Sequence, residues 1–316
     1  QNGAGLSVER ILPGRDARAR AAIPGIVFLI MPFGVMHAYC LLRDERMKDL
    51  AAISTAQVAA DHLLTAILAL CGFGAWAIVL PKVLTAPIWL FGMLRTKAWM
   101  PDLAAGFAPI ASILKFSMPV LGSELMCACR DQLDKFVVSL MLGVEALGLY
   151  YFAFNAGLGV STALNRAFSN AVYPHLCAAV DRTSTFHKAL INLGLPFSLL
   201  YVLQAGLALY YVPIVFGPKW AAAASLVAVL CLGGPARLLV DAARMKARAE
   251  GRSGQDFRIS LGFSLSVLIP FFAFAHHGLL AVAFLSVASG SAFALVVTHT
   301  ALRQVNPANR VIGAQS

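Results

Sequence analysis

The sequence has few charged residues: Asp, Glu, Lys and Arg make up 13% of its 316 residues, whereas hydrophobic residues make up 59%. Soluble domains contain roughly 25% charged residues and about 45–50% apolar ones. A soluble core has no room for this much apolar surface, so the scarcity of charge excludes an ordinary soluble domain. The composition predicts a polytopic membrane protein.

Paired metal ligands and catalytic motifs are also missing from the sequence. The six cysteines are scattered, and Cys127 and Cys129, two residues apart, point to different faces of a helix. The sequence contains no CxxC pair, P-loop, GxSxG or HExxH motif. We therefore expect no cofactor, no metal site and no enzyme activity.

The net charge of +10 does not indicate a nucleic-acid partner. Binding to a phosphate backbone needs a contiguous cationic face. Here the basic residues lie in the short links between apolar stretches, where membrane topology places them. We therefore expect no nucleic acid among the partners.

Nine apolar stretches are long enough to cross a membrane, because a helix needs roughly 20 residues to span the hydrocarbon. They lack the period-two alternation of membrane β-strands, so we predict an all-α fold. The predicted spans are 22–42, 51–71, 75–94, 116–142, 146–171, 189–216, 221–245, 259–275 and 279–302.

The links between these spans predict the orientation. Lys and Arg, including Arg244 and Arg248, are concentrated in every second link. The four links on the opposite side contain only one basic residue, Lys219. Because positive residues mark the cytoplasmic side, the basic links are expected to be cytoplasmic. The first residues then fall outside although they are basic. We therefore expect the chain to be truncated at its N-terminus and to lack an odd number of helices.

The predicted organisation is a two-lobed helical bundle in which the first lobe is incomplete. Its parts are a polar segment at 1–21, three helices of the first lobe at 22–94, a cytoplasmic linker at 95–115, a six-helix lobe at 116–302 and a polar tail at 303–316.

Charged and polar side chains interrupt several spans. A charge at the bilayer centre costs about 2.5–3.5 kcal/mol on insertion scales, so these side chains must face protein or water. At about 100° per residue, Glu124, Asp131 and Lys135 share one helix face, and Asp131 and Lys135 have the favourable i,i+4 spacing of an ion pair. The candidate substrate-binding residues are Glu124, Arg130, Asp131, Asp134, Lys135, Asn155, Asn165 and Arg166.

Two interpretations of these residues remain open. They form a self-neutralising cluster that fixes helices to one another, or they line a hydrated path with a cationic surplus that suits an anionic, hydroxyl-rich cargo. Asp61 and His62, at the middle of span two, are candidates for ion coupling because a histidine changes charge near neutral pH. An ordinary core histidine is the alternative at that position.

The segment RDQLDKFVVSLMLGVEALGLYYFAFNAGLGVSTALNRAFSNAVYPHL, residues 130–176, resembles a known family. The family consists of Wzx-type polysaccharide flippases of the multidrug/oligosaccharidyl-lipid/polysaccharide exporter superfamily. The matching elements are Asp134, Leu142–Gly143, Glu145–Gly148, Tyr150 and Pro174–Leu176. GFGAWAIVLPKV and VFGPKWAAAASLVAVL resemble two further segments of the family. The resemblance extends over roughly residues 22–302.

This resemblance implies a transporter in the bacterial inner membrane. Two six-helix lobes would move a polyprenyl-pyrophosphate-linked oligosaccharide, such as an exopolysaccharide or O-antigen repeat unit, by alternating access. Arg130, Lys135 and Arg166 would attract the pyrophosphate. Membrane lipids, H⁺ or Na⁺, a polysaccharide polymerase and export machinery would be the partners.

Three other functions predict different features of the sequence. A cation-coupled multidrug exporter of the same superfamily predicts a cavity dominated by acidic and aromatic groups. A membrane-embedded polysaccharide polymerase or ligase predicts a long outer loop, which the predicted spans do not leave room for. A scaffold without transport activity requires that all charges within the spans pair with one another.

Overall fold

All secondary structure in the described part of the computed structural model is helical. The structure describes residues 31–44, 46–74, 76–96 and 110–303. The predicted N-terminal segment, the predicted tail beyond Arg303, most of the predicted linker and the start of span 22–42 lie outside these residues. The chain divides into two compact units, Gln1–Gly106 and Phe107–Ser316, while the predicted domain boundaries stay predictions.

Three helices form the described part of the first unit. Close approach between them depends on glycine, because a Cβ atom at Gly34 would lie 2.4 Å from the Trp89 ring and one at Gly92 would lie 2.6 Å from the Ile53 side chain. Small residues at such contacts let membrane helices pack closely. The helices are α1 at 31–43, α2 at Met47–Leu70 and α3 at Trp76–Arg95.

Six helices form the described part of the second unit. They are α4 at Ile110–Ala178, α5 at Arg182–Ala189, α6 at Leu195–Phe216, α7 at Ala224–Ala249, α8 at Ser253–Phe274 and α9 at Leu279–Arg303. A π-helical turn at Leu190–Gly194 joins α5 to α6, and a 3₁₀ turn at Pro218–Ala223 leads into α7. Asp181 caps α5 by accepting hydrogen bonds from the backbone N–H groups of Thr183 and Ser184.

The long helix α4 folds back on itself at Gly143. This glycine has φ 88° and ψ 174°, outside helical geometry. The Tyr150 hydroxyl donates a hydrogen bond of 2.8 Å to Asp134 Oδ2, although 16 residues separate them. Sixteen residues of straight helix would span about 24 Å. The segments before and after Gly143 are therefore two antiparallel arms, here called the first and second arms of α4.

We predict that Gly143→Ala destabilises the hairpin and that Gly148→Ala does not. A Cβ atom meets nothing within 4 Å at either position, so steric crowding is absent from both. The conformation of Gly143 is almost exclusive to glycine, and alanine there should cost about 1–3 kcal/mol. Gly148 is helical, so alanine there should stabilise by about 0.5–1 kcal/mol. Thermal unfolding of the purified variants in detergent measures both; losses of equal size would contradict the assignment of strain to Gly143.

Seven helices in the described residues are long and apolar enough to cross a membrane. The predicted all-helical membrane fold is confirmed, but the predicted number of nine spans is not. Spans 116–142 and 146–171 both lie within α4, which counts as one helix despite its turn. Span 22–42 extends beyond the described residues.

The core of the second unit surrounds α7, which packs against α4, α6, α8 and α9. The outward faces of α6, α8 and α9 instead carry exposed large apolar side chains such as Leu199, Ile269 and Phe284. Apolar surface of this extent belongs against acyl chains, and the chain is a multi-pass membrane protein.

Candidate functional site

Both arms of α4 and helix α7 bring six polar side chains together inside the second unit. We call them the inner charge cluster: Arg130, Asp131, Asp134, Lys135, Tyr150 and Arg237. Five of the six are ionisable groups with a charge at neutral pH. Burying such charges is tolerated only when they are paired and hydrogen-bonded.

Two arginines hold the Asp131 carboxylate. Arg130 Nη2 lies 3.1 Å and Arg237 Nη1 lies 3.3 Å from Asp131 Oδ1. Arg130 itself is 7% exposed, and its guanidinium lies 5.0 Å from the centroid of the Phe263 ring. This pairing ties the first arm of α4 to α7 and gives Arg130 an aromatic neighbour, a favourable cation–π geometry.

The Asp134 carboxylate is more deeply buried, at 3% exposure. It accepts the hydrogen bond from Tyr150, and the Lys135 ammonium lies 3.5 Å from Asp134 Oδ1. The same ammonium lies 3.8 Å from the centroid of the Phe154 ring on the second arm. The second arm therefore supplies partners for the charges of the first.

The structure corrects one expectation about this helix face. Lys135 and Asp131 were expected to form an i,i+4 ion pair, but Lys135 donates to the backbone carbonyl of Asp131 and pairs with Asp134. The reason is that Arg130 and Arg237 already occupy the Asp131 carboxylate.

A second group joins the first arm of α4 to α7 and α8. We call it the α7–α8 charge cluster: Glu124, Asp241, Arg244, Arg248 and Asp256. Asp256 is fully buried and accepts from Arg244 Nε at 2.9 Å and from Arg248 Nε at 2.7 Å. Glu124 Oε1 accepts from the Nη2 atoms of the same two arginines, at 2.9 and 2.6 Å.

Sequence reasoning placed Arg244 and Arg248 in a cytoplasmic link. In the structure α7 continues to Ala249, and only three residues separate it from α8. Arg244 is consequently 7% exposed rather than solvated. Sequence reasoning missed Asp256. The signal that could have identified it is an acidic residue in a basic link, just before predicted span 259–275.

The two clusters are balanced as a whole, with five cations facing five carboxylates. Paired charges of this kind fix the relative position of helices.

The cavity beside the inner charge cluster has a volume of about 40 Å³ and is lined by Asp134, Tyr150, Arg237 and Ser286 among apolar residues. A water molecule needs about 10–15 Å³ of such volume, so a few waters fit there and a sugar does not.

The second arm of α4 carries a different kind of polar surface. Six exposed residues repeat along it at helical spacing, within an arc of about 100°. We call them the polar stripe: Tyr151, Asn155, Gly159, Thr162, Arg166 and Asn170. The exposed faces of α6, α8 and α9 have no comparable run in the described residues, since they are apolar.

Arg166 is the cation of this stripe. It is exposed and has no ion-pair partner among the described residues. Arginine and asparagine within a membrane helix normally face a protein interior or a water-filled cavity. The stripe is therefore a surface that belongs next to water rather than lipid.

The other candidate residues have separate environments. Asn165, next to Arg166 in sequence, is buried and its Oδ1 accepts a hydrogen bond of 2.7 Å from the Tyr201 hydroxyl. In the first unit, Asp61 Oδ2 lies 3.5 Å from Lys82 Nζ across α2 and α3, while His62 is exposed. The roles of all these residues in binding or ion coupling stay predictions.

In the part of the chain that the structure describes, no group of three or more His, Cys, Asp or Glu side chains is placed to hold a metal ion.

Comparison with known proteins relates the chain to polysaccharide biosynthesis. Residues 11–225 match the family described as polysaccharide biosynthesis protein. The teichuronic acid biosynthesis protein TuaB of Bacillus subtilis is 24% identical over 262 residues, which are 81% of this chain and 54% of that protein. The lipopolysaccharide biosynthesis protein WzxC of Escherichia coli is 23% identical over 252 residues, 78% of this chain and 51% of that protein.

A third relative is the succinoglycan biosynthesis transport protein ExoT of Rhizobium meliloti. It is 24% identical over 214 residues, which are 66% of this chain and 43% of that protein. The chain thus spans about half the length of the curated relatives it matches. No solved structure matches it.

Proposed function

Because the chain belongs to the polysaccharide biosynthesis protein family, we propose that it is part of a transporter for lipid-linked oligosaccharides in the bacterial inner membrane. The cargo in this proposal is a polyprenyl-pyrophosphate-linked repeat unit, whose polar head crosses the membrane by alternating access. The relatives support a role in polysaccharide biosynthesis, and one of them is named as a transport protein.

The observation that carries the proposal is the polar stripe. It combines one unpaired guanidinium with amide and hydroxyl groups and contains no carboxylate. Guanidinium groups bind phosphate oxygens with charge-assisted hydrogen bonds, and amide and hydroxyl groups match the hydroxyls of sugars. A cargo that combines a pyrophosphate with an oligosaccharide has both kinds of group.

The residues of the stripe take different parts in this proposal. Arg166 attracts the pyrophosphate, while Asn155 and Thr162 hydrogen-bond the sugar. The inner charge cluster supports the stripe from behind, because Asp134 and Lys135 bind the second arm of α4 through Tyr150 and Phe154. Arg130, Lys135 and Arg237 add positive charge next to the path, partly offset by Asp131 and Asp134.

The full transporter in this proposal has two six-helix lobes, of which the second unit described here is one. Polymerase and export machinery would receive the cargo, and H⁺ or Na⁺ would drive the cycle, with Asp61 and His62 as the proposed coupling residues.

A cation-coupled drug exporter of the same superfamily is the second candidate. It requires an acidic, aromatic binding surface, because its cargo is often cationic. The stripe contains Tyr151 but no acidic residue, and its only charge is positive. This composition favours the anionic cargo.

We expect proteoliposomes that contain the full two-lobed transporter of this proposal to move a labelled polyprenyl-pyrophosphate oligosaccharide between leaflets. The measurement is the fraction of label that becomes accessible to a membrane-impermeant glycosidase with time. Empty liposomes and a cationic dye in place of the glycan are the controls. Transport of the dye but not of the glycan would favour the drug exporter, and glycan rates equal to those of empty liposomes would contradict the proposal.

A further inference from the structure

The beginning of α8 carries a groove that belongs to neither charge cluster. It has a volume of about 550 Å³ and is lined by Arg252, Gln255, Arg258, Ile259 and Phe293. The first three form a polar rim and the last two an apolar floor. Gly262 makes the floor compact, because a Cβ atom there would lie 2.6 Å from the Phe293 ring.

The rim presents positive charge. Arg258 is exposed and has no ion-pair partner in the described residues, whereas Arg252 pairs with Glu250. The groove also lies at the N-terminal end of a 22-residue helix, where the helix dipole is positive. The turn between α7 and α8 belongs to the basic links that predict the cytoplasmic side.

An apolar stripe continues from Arg258 along the same exposed face of α8. Leu265, Ile269 and Phe272 follow at helical spacing, within about 60° of Arg258 around the helix. Fourteen residues of helix from Arg258 to Phe272 span about 21 Å, more than the roughly 15 Å of hydrocarbon in one leaflet. The face therefore has one cation at its end and an apolar surface long enough for an acyl chain.

We propose that this groove binds the headgroup phosphate of an anionic phospholipid from the cytoplasmic leaflet, with an acyl chain along α8. Arg258 holds the phosphate beside the Arg252–Glu250 ion pair, while Ile259 and Phe293 contact the first methylene groups of the acyl chain. Basic pockets at the cytoplasmic ends of membrane helices recognise lipid headgroups in this way. A soluble phosphate would gain nothing from the apolar floor and stripe, and this favours a lipid.

The proposal is tested by native mass spectrometry of the detergent-solubilised chain titrated with phosphatidylglycerol or phosphatidylcholine. Arg258→Gln should weaken the binding of phosphatidylglycerol about fivefold and leave that of phosphatidylcholine unchanged. Lys188→Gln is the matched control, because Lys188 is an exposed cation at the end of α5, outside the groove, within the same group of basic links. We expect it to bind phosphatidylglycerol like the unaltered chain.

Two further variants distinguish a specific lipid site from the alternatives. Arg258→Lys retains the charge and should retain most of the binding, which separates loss of charge from loss of folding. Phe293→Ala should weaken the binding of long-chain phosphatidylglycerol but not of glycerol phosphate. Equal losses in Arg258→Gln and Lys188→Gln would reduce the site to general surface charge. Displacement of the lipid by millimolar inorganic phosphate would identify a soluble anion as the ligand, and either result would overturn the proposal.

Discussion

Replacing Asp256 by asparagine is expected to lower the free energy of unfolding by about 3–5 kcal/mol. The side chain is fully buried and holds Arg244 and Arg248 through both carboxylate oxygens. Asparagine has nearly the same volume, so packing is kept while the charge is lost. The buried Arg244 guanidinium would then lose its charged partner at a position from which water is largely excluded.

Glu124→Gln is the matched control for this prediction. It removes a carboxylate from the same two arginines, but the Glu124 side chain is 57% exposed. Water can replace an exposed partner, so the loss should be about 0–1 kcal/mol. Thermal or denaturant unfolding in detergent measures both variants. A small loss in Asp256→Asn, equal to that in Glu124→Gln, would show that burial adds nothing to this cluster.

Charge reversal at Arg166 is expected to reduce glycan transport by about tenfold to a hundredfold. Hydrogen bonds to charged groups contribute about 1.5–3 kcal/mol, which corresponds to that range of rates. Arg166→Glu also places a carboxylate where the pyrophosphate is proposed to pass, so repulsion adds to the lost attraction. The initial rate in the proteoliposome assay measures the effect.

Lys219→Glu changes the net charge by the same amount at an exposed position outside the polar stripe. It should transport at nearly the unaltered rate. The amount of each variant in the membrane must be compared first, since Arg166 lies within a predicted span and Lys219 in a predicted link. Near-normal transport by a correctly inserted Arg166→Glu variant would remove Arg166 from the proposed mechanism.

The helical class and the break at Gly143 followed from the sequence because they depend on local properties. The amino-acid sequence contains apolar runs of about 20 residues, and Gly143 lies between two of them. The shared face of Glu124, Asp131 and Lys135 is also a local property, since it needs only the helical repeat.

The partners of these side chains depend on long-range packing, which the helical repeat does not contain. Arg237 reaches Asp131 across 106 positions of sequence, and Arg248 reaches Glu124 across 124. Nothing local distinguishes Arg166, which is exposed, from Arg130, which is buried and paired. Only the packed helices separate charges that fix the fold from a charge that remains available to a ligand.

The tight reversal at Gly143 has a mechanical consequence. With a single non-helical residue at the bend and the Tyr150–Asp134 bond just below it, the two halves of α4 have little freedom to slide or splay. Any rotation of this unit must therefore move Arg166 and the inner charge cluster together as one rigid body. If the proposed transport is correct, a crosslink between the two arms near the bend should therefore leave it intact.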